Sequence, residues 1–248
     1  MEDLKRIWSD QYPVHWFDTD QNNRISLMAI CRYLQESAWH HANHLGFGYM
    51  ENDKIKHTWV IVRLLIKMES YPAWEDVITV STWPRGMEGL LAMRDFEILS
   101  AQGQRLGVAS SQWFIIDTET RKPLPGIIDR DIVPLMTSTP AMDEQPEKIN
   151  IREPLDYLET YKAYYSTIDR YGHVNNTRYV EWIIDSIPKE IHQSSLIRSF
   201  LIEFLSETRL EDEIQLFGKI TPSEAVFRGI RSEDDKPVFR AKLAFLPA

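Results

Sequence analysis

Apolar and polar positions alternate along residues 11–18, "QYPVHWFD", in the two-residue rhythm of a β-strand. A polar turn, "TDQNNRIS", follows. The rhythm then changes over "LMAICRYLQESAWHHANHL", where Leu27, Ile30, Cys31, Leu34, Ala38 and Leu45 share one face at helical spacing. Ser26 stands where a helix N-cap belongs. Four strand-like runs come next, at 58–68, 76–83, 90–99 and 106–117, with Gly103 in a hairpin turn. The order then returns. Residues 161–168 read as a strand and "DRYGHVNN" as a turn. A helix follows with Tyr179, Val180, Ile183, Ile184 and Ile187 on its apolar face, and Asn175 or Asn176 is placed to cap it. Runs at 198–206, 212–219, 225–231 and 236–246 complete the second set.

The two sets overlay residue on residue. Asp20 falls on Asp169, Arg24 on His173 and Tyr33 on Trp182. Further along, "YPAWEDVI" falls on "ETRLEDEI", which pairs Tyr71 with Glu207. Between them, "TSTPAMDEQPEKINIREP" is rich in proline, charge and small polar residues and reads as an exposed linker. The expected organisation is a domain over 1–134, a linker over 135–158 and a second domain over 159–248. One strand, a long helix and an antiparallel meander is the order of a hotdog fold. The fold class is therefore α+β, with two tandem hotdog domains, each an antiparallel sheet wrapped around a long helix. A lone copy leaves a sheet edge and an apolar face uncovered, and a tandem chain supplies the second copy itself. The chain is thus expected to be a monomer that forms an internal pseudo-dimer, with a homodimer as the alternative.

Composition narrows the function. Apolar content of 43% with 26% charged residues is ordinary for a soluble domain protein. No apolar run reaches the roughly 20 residues of a membrane span, and the start has no signal-peptide core, so a cytoplasmic protein is expected. A net charge of -9 argues against a nucleic-acid partner. Cys31 is the single cysteine; its place on an apolar helix face reads as core. His40 and His44 have a workable metal spacing but no third ligand, and no phosphate loop is present. No cofactor and no metal are expected.

The chemistry concentrates in "STIDRYGHVNNTRYVEW". Asp169 and Glu207 are candidates for carboxylate base or nucleophile, and His173 for moving a proton or orienting a carboxylate. Backbone N–H groups at the following helix start could polarise a carbonyl. In the first half the same positions hold Asp20, Arg24 and Tyr71, and Arg24 cannot act as a base near neutral pH. Only the second half carries a complete titratable set.

Repeat and motif together resemble the acyl-acyl-carrier-protein (acyl-ACP) thioesterases, tandem hotdog hydrolases. The likeness is carried by "LMAICRYLQESAWHHANHLG", "TWVIVRLLIKMESYPAWEDVITVSTWP", "ASSQWFIIDTETRKP", "DRYGHVNNTRYVEW" and "EFLSETRLEDEI". By position, the resemblance implies catalytic roles for Asp169, His173 and Glu207. Family members often carry Asn where Tyr171 stands, and plant relatives carry Cys where Thr208 stands, so a cysteine nucleophile is not expected here. Tyr171, Asn175 and Asn176 are expected beside the substrate, and Ile30 and Leu34 along an acyl pocket. The implied reaction is hydrolysis of acyl-ACP to free fatty acid and holo-ACP, in fatty acid biosynthesis, with acyl carrier protein as partner. The alternatives are an acyl-CoA thioesterase and a catalytically silent acyl-binding hotdog protein. Whether Asp169 attacks or activates water stays open. An acidic carrier meeting this acidic chain calls for local cations, for which Lys5, Arg6, Arg121, Lys122 and Arg178 are candidates.

Overall fold

A computed structural model describes residues 4–46, 57–124, 136–137 and 139–247. The chain forms two compact units, Met1–Pro146 and Glu147–Ala248. In the first, β1 (Trp8–Pro13) precedes α1 (Leu27–His44), then β2 (His57–Met68), β3 (Val77–Glu88), β4 (Leu91–Ser100) and β5 (Arg105–Asp117). Its strands pair antiparallel in the order β1-β3-β4-β5-β2. In the second, β6 (Asp156–Lys162) precedes α2 (Asn176–Asp185) and a short α3 (Lys189–Ser194). Then come β7 (Ser195–Phe204), β8 (Glu213–Ile220), β9 (Glu224–Arg231) and β10 (Pro237–Pro247). The order β6-β8-β9-β10-β7, again antiparallel, repeats the first permutation. Each unit is a hotdog domain.

The helices form where the apolar spacing places them. On α1, Leu27, Ile30, Cys31, Leu34, Ala38 and His41 are buried, and the Ser26 side chain accepts from the Ala29 N–H. This face packs on β1 and β3. Burying Ile30 and Leu34 contributes about 1.5–3 kcal/mol each. On α2, Tyr179 meets Phe239 and Phe204 of the sheet, with ring centroids 5.2 and 6.1 Å apart. Gly229 on β9 leaves room for the same Phe239 ring: a Cβ there would lie 2.3 Å from its Cε1.

Two expectations shift. The second helix stops at Asp185 rather than running through Ile187, because Pro188 disfavours helical backbone before it; a separate turn of helix starts after it. The strands expected over 11–18 and 161–168 end at Pro13 and Lys162 and give way to 3-10 turns, Trp16–Asp18 and Tyr165–Thr167. Aromatic residues there mimic strand composition, yet Trp16, Phe17 and Tyr165 are 71%, 75% and 85% exposed. Before the second unit, residues 139–145 are anchored on the first. Trp83 Nε1 donates to the Thr139 carbonyl, the Ala141 N–H to Asp95, and Arg85 to Gln145.

The repeat extends to single hydrogen bonds. The Val14 N–H donates to the Asp76 carbonyl at 2.8 Å, as Ala163 does to Asp212 at 2.9 Å. Glu75 and Glu211 occupy matching left-handed positions, φ +71° and +74°. Tyr12 stacks on Tyr33 as Tyr161 stacks on Trp182, with centroids 4.3 and 5.3 Å apart.

Candidate active site

The segment between the 3-10 turn and α2 closes on itself. The Asp169 N–H donates to the His173 carbonyl at 2.8 Å, and the Gly172 N–H to the Asp169 carbonyl at 3.0 Å. Gly172 takes φ +79°, a conformation glycine adopts without strain. Asp169 Oδ1 accepts from the N–H groups of Tyr171 (2.8 Å) and His173 (3.4 Å), so this carboxylate builds the turn that presents the histidine. Asn175 then caps α2, its Oδ1 accepting from the Thr177 N–H at 3.0 Å. The Arg178 N–H donates to the Asn175 carbonyl, and among the described residues the Asn176 N–H at the helix start has no acceptor.

Glu207 arrives from the loop between β7 and β8. The Val174 N–H donates to the Thr208 carbonyl at 2.8 Å, which sets the two loops side by side. His173 Nε2 then lies 3.1 Å from Glu207 Oε2, with the side chains 23% and 35% exposed. A carboxylate at this distance fixes the proton on Nε2 of the neutral ring. The pair is partly screened from water yet reachable.

The first unit carries the same scaffold with different chemistry. Asp20 Oδ1 accepts from the N–H groups of Asn22 (2.8 Å) and Arg24 (3.1 Å). Asn23 takes the left-handed position that Gly172 fills, at φ +58°. The Ile25 N–H donates to the Pro72 carbonyl at 2.9 Å, the counterpart of Val174 on Thr208. Tyr71, at the Glu207 position, is half-buried, and the desolvation of its phenol drives the pKa well above the ordinary value. The two copies differ most at the remaining carboxylate oxygen. Asp20 Oδ2 faces Arg24 Nε at 3.4 Å. The imidazole in the second unit turns to Glu207 instead, and among the described residues Asp169 Oδ2 makes no hydrogen bond.

The other expected residues are distributed as follows. Tyr171 is 50% exposed and contributes its N–H to the turn. Asn175 is the cap, and Asn176 is the first residue of α2, beside it. Ile30 and Leu34 are buried in the first unit, 1% and 2% exposed. Cys31 is buried and its thiol is pushed up to about 12 by burial. His40 Nδ1 lies 2.9 Å from Asp10, and its Nε2 3.4 Å from Glu36. Arg178, a candidate carrier contact, donates to Glu181 (2.6 Å) and to the Ser166 carbonyl (3.1 Å). Tyr179, which the sequence reading assigned only to packing, lies against Thr208 with its phenol pushed up to about 12, chiefly by burial. Arg231 was not singled out at all, yet its Nη1 donates to the Glu207 carbonyl at 3.0 Å.

Known proteins resemble this chain along most of its length. Residues 5–133 match the acyl-ACP thioesterase N-terminal domain, and residues 154–240 match the acyl-ACP thioesterase C-terminal domain. The chain belongs to the acyl-ACP thioesterase family. Within the family, it is 27% identical to dodecanoyl-[acyl-carrier-protein] hydrolase of Cinnamomum camphora, over 97% of this chain and 68% of that one. It is 28% identical to oleoyl-acyl carrier protein thioesterase 2 of Arabidopsis thaliana, over 88% and 65%. The chain thus spans about two thirds of the length of these chloroplastic relatives. Among solved structures, an acyl-ACP thioesterase from Bacteroides thetaiotaomicron superposes with a TM-score of 0.90 at 30% identity, covering 97% and 98% of the two chains. The 12:0-ACP thioesterase from Umbellularia californica shares the fold, with a TM-score of 0.87 at 22% identity.

Proposed function

We propose that this acyl-ACP thioesterase family member hydrolyses acyl-ACP, consuming water and releasing free fatty acid and holo-ACP, as a step of fatty acid biosynthesis. The observation that carries the reading is the His173–Glu207 contact of 3.1 Å, in the one hotdog unit whose turn presents an imidazole rather than a guanidinium. In this reading Glu207 holds the ring, and His173 takes a proton from the attacking water as oxygen bonds to the thioester carbon. The carbonyl oxygen becomes an oxyanion, for which the open Asn176 N–H at the α2 start is a suitable donor. The C–S bond then breaks, and the imidazolium returns its proton to the departing sulfur. Asp169 fixes the turn through Oδ1 and keeps Oδ2 for the substrate side.

Release of thiol from acyl-ACP and acyl-CoA, measured across acyl lengths, tests this. Acyl-ACP should be turned over with the higher kcat/KM. His173→Ala and Glu207→Ala should each lower kcat at least about a hundredfold, the scale of general acid–base catalysis, with the fold intact by circular dichroism. Preference for acyl-CoA would make the chain an acyl-CoA thioesterase. Acyl binding without thiol release would make it a silent acyl-binding protein.

A further inference from the structure

We propose that Arg231 is a positioning residue for this hydrolysis: by holding the Glu207 backbone carbonyl it fixes the carboxylate that orients His173. The inference rests on the hydrolytic reading above and concerns the same site. Arg231 is the last residue of β9. Its Nε lies 2.9 Å from Asp234 Oδ1 and its Nη2 3.2 Å from Asp234 Oδ2, a two-pronged pairing that fixes the guanidinium plane. The remaining nitrogen, Nη1, reaches the Glu207 carbonyl at 3.0 Å and Asp212 Oδ2 at 3.4 Å. Asp212 Oδ2 in turn accepts from the Arg209 N–H at 2.8 Å. Arg231 therefore ties three points together: the β9–β10 hairpin, the Glu207 backbone, and the far end of the loop that carries Glu207.

The comparison between the two units separates this clamp from ordinary loop structure. Most of the loop's ties occur in both. The Leu205 and Ser206 N–H groups donate to the Val238 carbonyl, as those of Glu69 and Ser70 donate to Leu106. The Arg209 N–H contact with Asp212 is matched by that of Ala73 with Asp76, both at 2.8 Å. Among the described residues the Arg231 clamp has no counterpart at the matching β3–β4 position. Arg231 stands opposite Ile214 on β8, and the residue opposite the matching Ile78 on β3 is Ser100. The short Ser100 side chain instead accepts from the Gln102 and Gln104 N–H groups of its own turn. The arginine is present in the copy that holds a carboxylate against a histidine and is a serine in the copy that holds Tyr71. A loop that needed Arg231 only to fold would need it in both.

The test uses the full chain and whichever acyl thioester the parent turns over. Arg231→Ala should lower kcat by about 10–100-fold, the cost of a misplacement near 1 Å, with KM within about twofold. Arg231→Lys, which can reach a carbonyl but cannot fork Asp234, should recover part of that loss. The decisive comparison is Arg231→Ala in a Glu207→Ala background, where no further loss is expected because the effect passes through Glu207. The His173 ring-proton resonances, assigned with His173→Gln, should move in Arg231→Ala towards their positions in Glu207→Ala. Should Arg231→Ala not fold, Asp234→Ala, which releases the fork and keeps the arginine, is read in the same way. Unchanged kcat, an equal loss in both backgrounds, or unmoved His173 resonances would each overturn the proposal. A parent without thioesterase activity would bear on the hydrolytic reading alone, and the resonances would still decide the clamp.

Discussion

His41 gives a quantitative test of how the first unit is built. It lies in the last turn of α1, fully buried, with Nε2 2.9 Å from the Lys5 carbonyl and Nδ1 3.2 Å from Arg94 Nη1. A carbonyl only accepts, so Nε2 carries the proton. A guanidinium only donates, so Nδ1 must be bare. The ring is therefore neutral. Burial first, and the Arg94 charge second, depress its pKa from 6.5 to about 4. In the unfolded chain the same ring takes a proton near pH 6.5. Between these values the unfolded state binds more protons than the folded state, so stability falls as pH falls. For one site with those two pKa values, lowering the pH from 7.5 to 5 costs about 2 kcal/mol, out of about 3 kcal/mol in full. His41→Gln removes the titration while its amide can still donate to Lys5 and accept from Arg94. Urea unfolding of parent and variant at pH 7.5 and pH 5 measures the effect. The parent should lose about 2 kcal/mol more than the variant over this interval. Equal losses would show that His41 is not held neutral by its surroundings, and the account of the α1 end would fail.

The two roles open to Asp169 separate by substitution. Asp169→Asn keeps an oxygen for the Tyr171 and His173 N–H groups, whereas Asp169→Ala removes it. If turn-building dominates, the asparagine variant retains most of kcat and the alanine variant loses about tenfold or more; equal collapse of both marks a direct part for the carboxylate in the chemistry. Cys31, buried with its thiol pushed up to about 12, should stay unlabelled by a thiol reagent in the native protein and react only on unfolding. Rapid native labelling would contradict the packing of α1, and inertness lets a thiol-release assay read substrate alone.

Much of the architecture was legible along the chain because it is local. Helical spacing of Leu27, Ile30, Cys31 and Leu34 marked α1, and the cap at Ser26 followed from its position. The overlay of Asp20 on Asp169 and Tyr71 on Glu207 held down to paired hydrogen bonds, because the two units keep the same turns in the same order. The pairing also singled out the second half by elimination: an arginine and a tyrosine cannot do what a histidine and a glutamate can.

What the chain did not disclose depends on residues far apart in sequence meeting in space. Exposed aromatics at Trp16 and Tyr165 read as strand because composition does not report which way a backbone turns. His41 is one of three histidines along α1, and burial against Arg94 of β4 is what keeps it neutral. Asp169 stands in the sequence as a candidate acid, and the fold shows which of its oxygens is engaged by backbone. Arg231 resembled any charged residue before a hairpin, since nothing in its neighbours names Glu207, 24 residues earlier, as its partner. Periodicity and turn chemistry are properties of neighbouring residues, so a sequence carries them openly. The direction of a proton, the oxygen left free on a carboxylate and the anchor of a loop are set by register between strands, and only the folded chain decides them.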